Sequence, residues 1–232
     1  MQRHEVKSFV VKAEQISKRY FRKTGAANCF FAVKPLSLTL EPGTVTVLCG
    51  RSGSGKTTLL HILAGLLRPT EGKVRLGETD IYSLPDKELS ALRSRSVGIV
   101  PQSRSVLDIL TVSENILLPQ TLYKTKADWQ SAEQWMDTLN ILHLRDVRAG
   151  ELSGGEVRRT AIARTLSMNP PIILADEPTG DLDDENTKLV FRCFRQAAET
   201  HAAVLIVSHE ADALKFADRA FRMDGGVMTE LT

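Results

Sequence analysis

Short apolar runs bounded by turn residues recur along the chain: TVTVLC (Thr44 to Cys49), VGIV (Val97 to Val100), PIILAD (Pro171 to Asp176) and AVLIVS (Ala203 to Ser208). The runs are continuous rather than alternating, the pattern of strands covered on both faces. Helical patterns follow three of them: KTTLLHILAGLL, DENTKLVFRCFRQAAE and EADALKFAD. Strand–helix alternation predicts a parallel sheet with crossover helices. The first forty residues differ. FVVKAEQISKRY and FAVKPLSLTLEPG predict strands on either side of the loop FRKTGAAN, and so an antiparallel sheet. From about 103 to 150 the pattern is helical. Thr111 is placed to cap the helix VSENILLPQTLY, with Glu114 completing a capping box. KADWQSAEQWMDTLNILHL predicts a second helix with Trp129, Trp135, Met136, Leu139 and Leu142 near one face. No repeat or low-complexity linker interrupts the chain.

Composition narrows the picture without naming a function. The 232 residues are enough for one large domain or two small ones. A net charge of +2 makes no demand for a nucleic acid. Cys29, Cys49 and Cys193 form no pair-spaced motif, which fits a reducing cytosol and argues against a disulfide frame or a zinc site. No apolar run approaches bilayer length, and MQRHEVKSFVV lacks the apolar core of a signal peptide. A role at a membrane would need something else to hold the chain there.

Chemistry enters at the strand ends. GRSGSGKTT follows TVTVLC and opens a helix, matching G-x-x-x-x-G-K-[ST] at Gly50, Gly55, Lys56 and Thr57 in the strand–loop–helix context that the motif requires. Glycines let successive N–H groups turn inward at phosphate oxygens. Lys56 adds a point charge for the outer phosphates, and the Thr57 hydroxyl is a hard ligand for Mg²⁺. IILADEP ends a buried strand on Asp176 and Glu177, the first placed to hold Mg²⁺ in its outer shell and the second to accept a proton from an attacking water. Gln102, ending VPQ, can reach the metal and that water. His209, in VSHE, faces the same edge. One stretch is left over: ELSGGEVRR, from Glu151 to Arg159, resembles a second phosphate cradle at a helix start but has no lysine of its own.

These motifs, in this order and spacing, resemble the ATP-binding-cassette (ABC) ATPases, over nearly the whole chain from ISKRY to MDGG. GRSGSGKTTLLHILAGLLRPTEG, LSGGE and LADEPTGDLD are most similar to the ATPase subunits of the macrolide-exporter and lipoprotein-release group. The resemblance implies an α/β P-loop NTPase core with a parallel sheet, an N-terminal antiparallel β subdomain and an inserted α-helical subdomain. On it, 1–102 and 151–232 form the nucleotide-binding core with the β subdomain, and 103–150 the helical subdomain, from which the signature helix extends at 153. It implies ATP and Mg²⁺ as cofactors. Gly50, Arg51, Ser52, Gly53, Ser54, Gly55, Lys56, Thr57 and Thr58 would hold the phosphates, and Tyr20 would stack on adenine. Thr57, Gln102 and Asp176 would hold the metal, with Glu177, His209, Lys56 and Gln102 as the catalytic groups.

The resemblance also accounts for the leftover motif. Two cassettes of the family pair head to tail, so Ser153, Gly154 and Gly155 would contact the partner's γ-phosphate, and Asp183 would touch the partner across the dimer. A membrane permease and a second ATPase chain, as a homodimer, are the implied partners. No nucleic acid or direct membrane insertion is implied, and the implied place is the cytoplasmic face of the cell membrane. The helical block would carry a groove for a permease helix, with the Gln102 loop as its hinge. This chain departs from the usual pattern at Ala149, where proline is common, and at Val157 and Arg158, which replace a pair of glutamines. The loop after Tyr20 is also longer. Besides a cassette of the importer type, two other classes remain open at this point: a soluble cassette ATPase acting on nucleic acid or ribosomes, and a nucleotide-gated signalling or scaffold protein. Against the first stand the missing heptads, second cassette and basic stripe; against the second stands Glu177.

Overall fold

The computed structural model describes residues 9–21, 29–122 and 127–231. The N-terminal stretch, the loop following Phe21, and Tyr123 and Lys126 at the ends of two predicted helices lie outside them.

The elements run β1 (Val11–Phe21), β2 (Cys29–Leu40), β3 (Val45–Cys49), α1 (Lys56–Leu63), β4 (Glu71–Leu76), β5 (Thr79–Asp80), α2 (Asp86–Ser96) and β6 (Val97–Val100). They continue with α3 (Val112–Leu122), α4 (Trp129–Thr138), α5 (Gly154–Ser167), β7 (Ile172–Asp176), α6 (Asp184–Thr200), β8 (Ala203–Val207), β9 (Arg219–Asp224) and β10 (Val227–Leu231). The apolar runs become neighbours in a six-stranded sheet of order β10-β9-β3-β8-β7-β6, parallel except for the β9–β10 hairpin. A second, antiparallel sheet has the order β2-β1-β4-β5.

Alternate residues of the central strands feed two cores, which is why both parities are apolar. Val45 and Val47, Ile173 and Ala175, and Val204 and Ile206 pack into one cluster with α5, α6 and the helices of 103–150. Leu48, Leu174, Leu205 and Val207 join the other, with α1 and the antiparallel sheet. This places β3, β7 and β8 at the centre of the molecule and leaves their C-terminal tips free to build a site.

The capping box at α3 forms as expected: Glu114 N–H donates to Thr111 Oγ1 at 3.2 Å, and Thr111 N–H to Glu114 Oε2 at 2.8 Å. Three expectations need correction. The predicted helix KADWQSAEQWMDTLNILHL holds α-helix only over α4, because Asn140 takes a left-handed φ of 54° and a 3₁₀ turn follows at Leu142–Leu144. Its aromatic face is also split: Met136 and Leu139 are buried, while Trp129 is 57% exposed. EADALKFAD forms a 3₁₀ turn, Ala211–Phe216, rather than an α-helix.

Candidate nucleotide site

The loops leaving β3, β6, β7 and β8 converge on an open cleft of about 1000 Å³. At the β3 exit the backbone turns through Gly50 at φ 150° and Gly55 at φ 107°. A Cβ would sit 2.2 Å from the Met223 carbonyl at Gly50 and 2.0 Å from the Ala32 carbonyl at Gly55, so no side chain fits at either end of the loop. The turn delivers the N-terminus of α1, with its unpaired N–H groups, to the cleft wall. Lys56 is 7% exposed, and its ammonium donates to the Gly50 and Arg51 carbonyls at 2.8 and 2.9 Å. The positive charge is thereby held inside the curl of the loop. Gly50, Arg51, Ser52, Gly53, Gly55, Lys56, Thr57 and Thr58 all line the cleft. Ser54, grouped with them from sequence, is not among the wall residues: it is buried, and its carbonyl accepts the Gly226 N–H at 3.0 Å.

Asp176 ends β7 at 3% exposure. Its Oδ2 accepts the Thr57 hydroxyl at 2.7 Å, and its Oδ1 is buried with no protein partner. A buried anionic oxygen with a free lone pair, next to a hydroxyl, is the hard oxygen set that Mg²⁺ takes. Glu177 follows at φ 48°, a left-handed conformation uncommon outside glycine. The turn is held by its N–H, which donates to the Val207 carbonyl at 2.8 Å. Its Oε2 lies 2.8 Å from His209 Nδ1, and both side chains line the cleft with Gln102. A carboxylate that fixes the imidazole in this way leaves Nε2 as the ring's other polar atom for a ligand.

Tyr20 also lines the cleft, its ring 5.8 Å from that of Phe30 and under the Lys18 ammonium at 5.5 Å. Phe30 and Phe31 extend this exposed aromatic wall. The sequence reading names neither. Arg158, noted in the sequence only as a departure from the family pattern, and Asp181 are further wall residues.

Ser153, Gly154 and Gly155 do not line this cleft. Ser153 caps α5 in a closed box: its Oγ accepts the Glu156 N–H at 3.4 Å, and Glu156 Oε2 accepts the Ser153 N–H at 2.8 Å and its hydroxyl at 2.7 Å. The Ser153 hydroxyl and N–H together hold the Glu156 carboxyl below its ordinary value. Asp183 is occupied as the cap of α6: it takes the Asn186 N–H at 2.8 Å and the Asn186 side-chain amide, and these bonds hold it below the usual carboxylate range. It is Asp181, two residues earlier, that reaches the cleft.

The family model for ABC transporters matches residues 33–180. The chain is 39% identical to an uncharacterised ABC transporter ATP-binding protein, YvcR, of Bacillus subtilis, over 96% of this chain and 87% of that one. It is 38% identical to the lipoprotein-releasing system ATP-binding protein LolD of Aquifex aeolicus, over 96% and 98%. It superposes with a TM-score of 0.86 and 30% identity on a dimeric post-hydrolysis state of the ATP-binding cassette MJ0796 bound to ADP and Pi, covering 96% of this chain and 99% of that one. Cleft, motifs and relatives agree: the chain belongs to the ABC transporter family and is one of its ATP-binding cassettes.

Proposed function

We propose that this chain is the Mg²⁺-dependent ATPase motor of a membrane transporter of the export or lipoprotein-handling type, working as a head-to-tail homodimer. ATP lies with its base against Tyr20 and its phosphates in the loop from Gly50 to Thr58. The substrate water attacks the γ-phosphorus, its proton passes to Glu177, and ADP departs. His209, fixed by Glu177, positions the water and the γ-phosphate. Thr57, Asp176 and Gln102 would hold Mg²⁺, which would supply charge to offset the phosphate oxygens. Lys56 and the loop amides neutralise the charge that spreads in a loose transition state. Ser153, Gly154 and Gly155 cover the nucleotide of the partner cassette, and Asp183 lies at the same dimer face.

The observation that carries this reading is at Gly154. Its φ is not left-handed, and a Cβ there would meet only Asp181 Cβ at an ordinary 3.8 Å. Nothing within one chain requires glycine at this exposed helix start. Close approach by a second body would. That the similar cassette MJ0796 is dimeric supports a dimer of this chain.

The division into a nucleotide core with β subdomain (1–102 and 151–232) and a helical subdomain (103–150) follows from this reading. No described helix is long and apolar enough to cross a membrane. A permease is then the link to the membrane, and the chain sits on its cytoplasmic side. A groove of about 940 Å³ walled by Arg93, Arg95, Arg164 and Met168 takes only Pro119 from the helical block expected to carry it, so the surface proposed for the permease lies mainly on the nucleotide core.

Glu177→Gln tests the proposal. Loss of the base slows hydrolysis by about 10²–10⁴-fold and leaves binding intact, so an ATP-loaded dimer accumulates on gel filtration. A variant that stays monomeric with saturating ATP and Mg²⁺ would remove the head-to-tail dimer.

A further inference from the structure

Arginines fasten the loop after β6 to α5 and to the turn before it. Arg164 donates to the Ser105 carbonyl at 2.8 Å and to Ser105 Oγ at 2.9 Å. Arg104, in the loop itself, donates to the Ala149 carbonyl at 2.8 Å. Arg158 does the most. It is 8% exposed, and its two terminal nitrogens donate to the Pro101 and Gln102 carbonyls, each at 2.7 Å. The second of these nitrogens also lies 3.5 Å from Asp181 Oδ2. One guanidinium therefore spans the ends of two strands, β6 and β7, from a position five residues into the helix that Ser153 caps.

We propose that Arg158 is a positioning residue for ATP hydrolysis: it makes the Gln102 loop and the Asp181 loop move with the Ser153 end of α5. The inference rests on the composite dimer site proposed above. Gln102 and Asp181 line this chain's own cleft, while Ser153, about 7.5 Å further along the helix axis, faces the partner's nucleotide. The two carbonyl bonds are short and partly buried. The Asp181 contact is long, and the Asp181 side chain is 61% exposed. The first two are fixed anchors; the third is the joint that tightens or opens as the cleft fills. Planarity matters, because a guanidinium presents several donors in a rigid fork and an ammonium presents them from a single point. Arg158→Lys therefore keeps the charge and loses the span.

The test uses Arg158→Lys, Arg158→Gln and Asp181→Asn, each alone and with Glu177→Gln. The expected result for both Arg158 variants is ATP affinity of the single chain within about two-fold of wild type and kcat lower by about ten-fold, with little change in KM. In the Glu177→Gln background, half-maximal dimerisation moves to higher ATP. Asp181→Asn gives the same changes in smaller measure, and its effect does not add to that of Arg158→Gln. Unchanged kcat and dimerisation in the Arg158 variants would overturn the proposal, as would a fall in kcat that only tracks the folded fraction in thermal melts. If the Arg158 variants do not fold, Asp181→Asn decides alone, since its side chain is exposed; wild-type behaviour there sinks the idea. Failure of Glu177→Gln itself to dimerise would instead strike the composite site beneath it.

Discussion

The chain carries two glycine-bearing helix starts, and they are built on opposite plans. At the N-terminus of α1, Gly50 and Gly55 are forced by this chain's own backbone: positive φ and carbonyls about 2 Å from where a Cβ would stand. Around them Lys56 and Asp176 are buried and interlocked with the loop and with Thr57. At the N-terminus of α5, Gly154 is exposed and has room for a side chain, and the end is capped by its own Ser153 and Glu156. The first start is complete within one chain. The second is capped and ordered, and nothing packed against it within the chain calls for its glycine. On the proposed reading, the contrast separates binding, which one chain would perform, from hydrolysis, which would take two.

The largest expected effects break the two ends separately. Lys56→Ala removes a buried charge at the loop and should weaken ATP binding by about 100-fold, measured by calorimetry. Ser153→Arg should leave the affinity of a single chain unchanged and abolish hydrolysis, because the obstruction falls on the partner's nucleotide. Mixing the two inactive variants sharpens the comparison. A mixed dimer joins the intact loop of one chain to the intact Ser153 end of the other, so turnover should return to roughly a quarter of wild type on random pairing. No recovery on mixing would mean that the two ends do not meet across chains.

Glycine replacement gives the next effect. Gly55→Ala puts a methyl into the Ala32 carbonyl at a φ that L-residues avoid, and should cost more than about 2 kcal/mol in urea unfolding along with ATP binding. Gly154→Ala should change stability by no more than about 0.5 kcal/mol and ATP affinity not at all, yet slow hydrolysis. Equal loss of stability in the two variants would erase the distinction between a glycine needed inside and one needed outside.

The same contrast explains what the sequence made legible. The α1 start was readable because loop, lysine and threonine are contiguous and follow an apolar run, so one local pattern carries the whole device. The parallel strands were readable because burial on both faces leaves no polar parity to confuse them. What was missed depends on distant segments or on polar side chains with structural work. Arg158 reads only as a departure from the family's glutamines until β6 and β7 bring the Pro101 and Gln102 carbonyls and Asp181 to it. The cap that Asp183 makes at α6 and the place of Asp181 in the cleft likewise emerge only once the segments are brought together. Asn140 ends α4 early through a left-handed φ that the apolar spacing of its neighbours concealed. The helix α2, DKELSALRSRS, has only Leu89 and Ser96 buried and offers almost no periodicity to read.

The smallest effect asks whether the α5 start is ordered before a partner arrives. Its order rests on the Ser153–Glu156 box, and the Glu156 carboxyl is held below its ordinary value by the Ser153 hydroxyl and N–H. A depressed carboxyl stabilises the fold fully above the unfolded-state value and loses that contribution as pH falls through the folded one. Glu156→Ala should therefore cost about 1 kcal/mol at neutral pH and lower the thermal midpoint by about 2–4 °C. The difference from wild type should shrink in acid, below the ordinary glutamate range. Glu156→Gln, which retains an acceptor for the Ser153 N–H, should recover part of the loss at neutral pH. If the box pre-forms the partner-facing surface, Glu156→Ala should also raise the ATP concentration needed for dimerisation in the Glu177→Gln background, while the affinity of a single chain stays fixed. A stability loss with unaltered dimerisation would mean that the partner itself imposes order on this helix start, and that the cap serves the monomer alone.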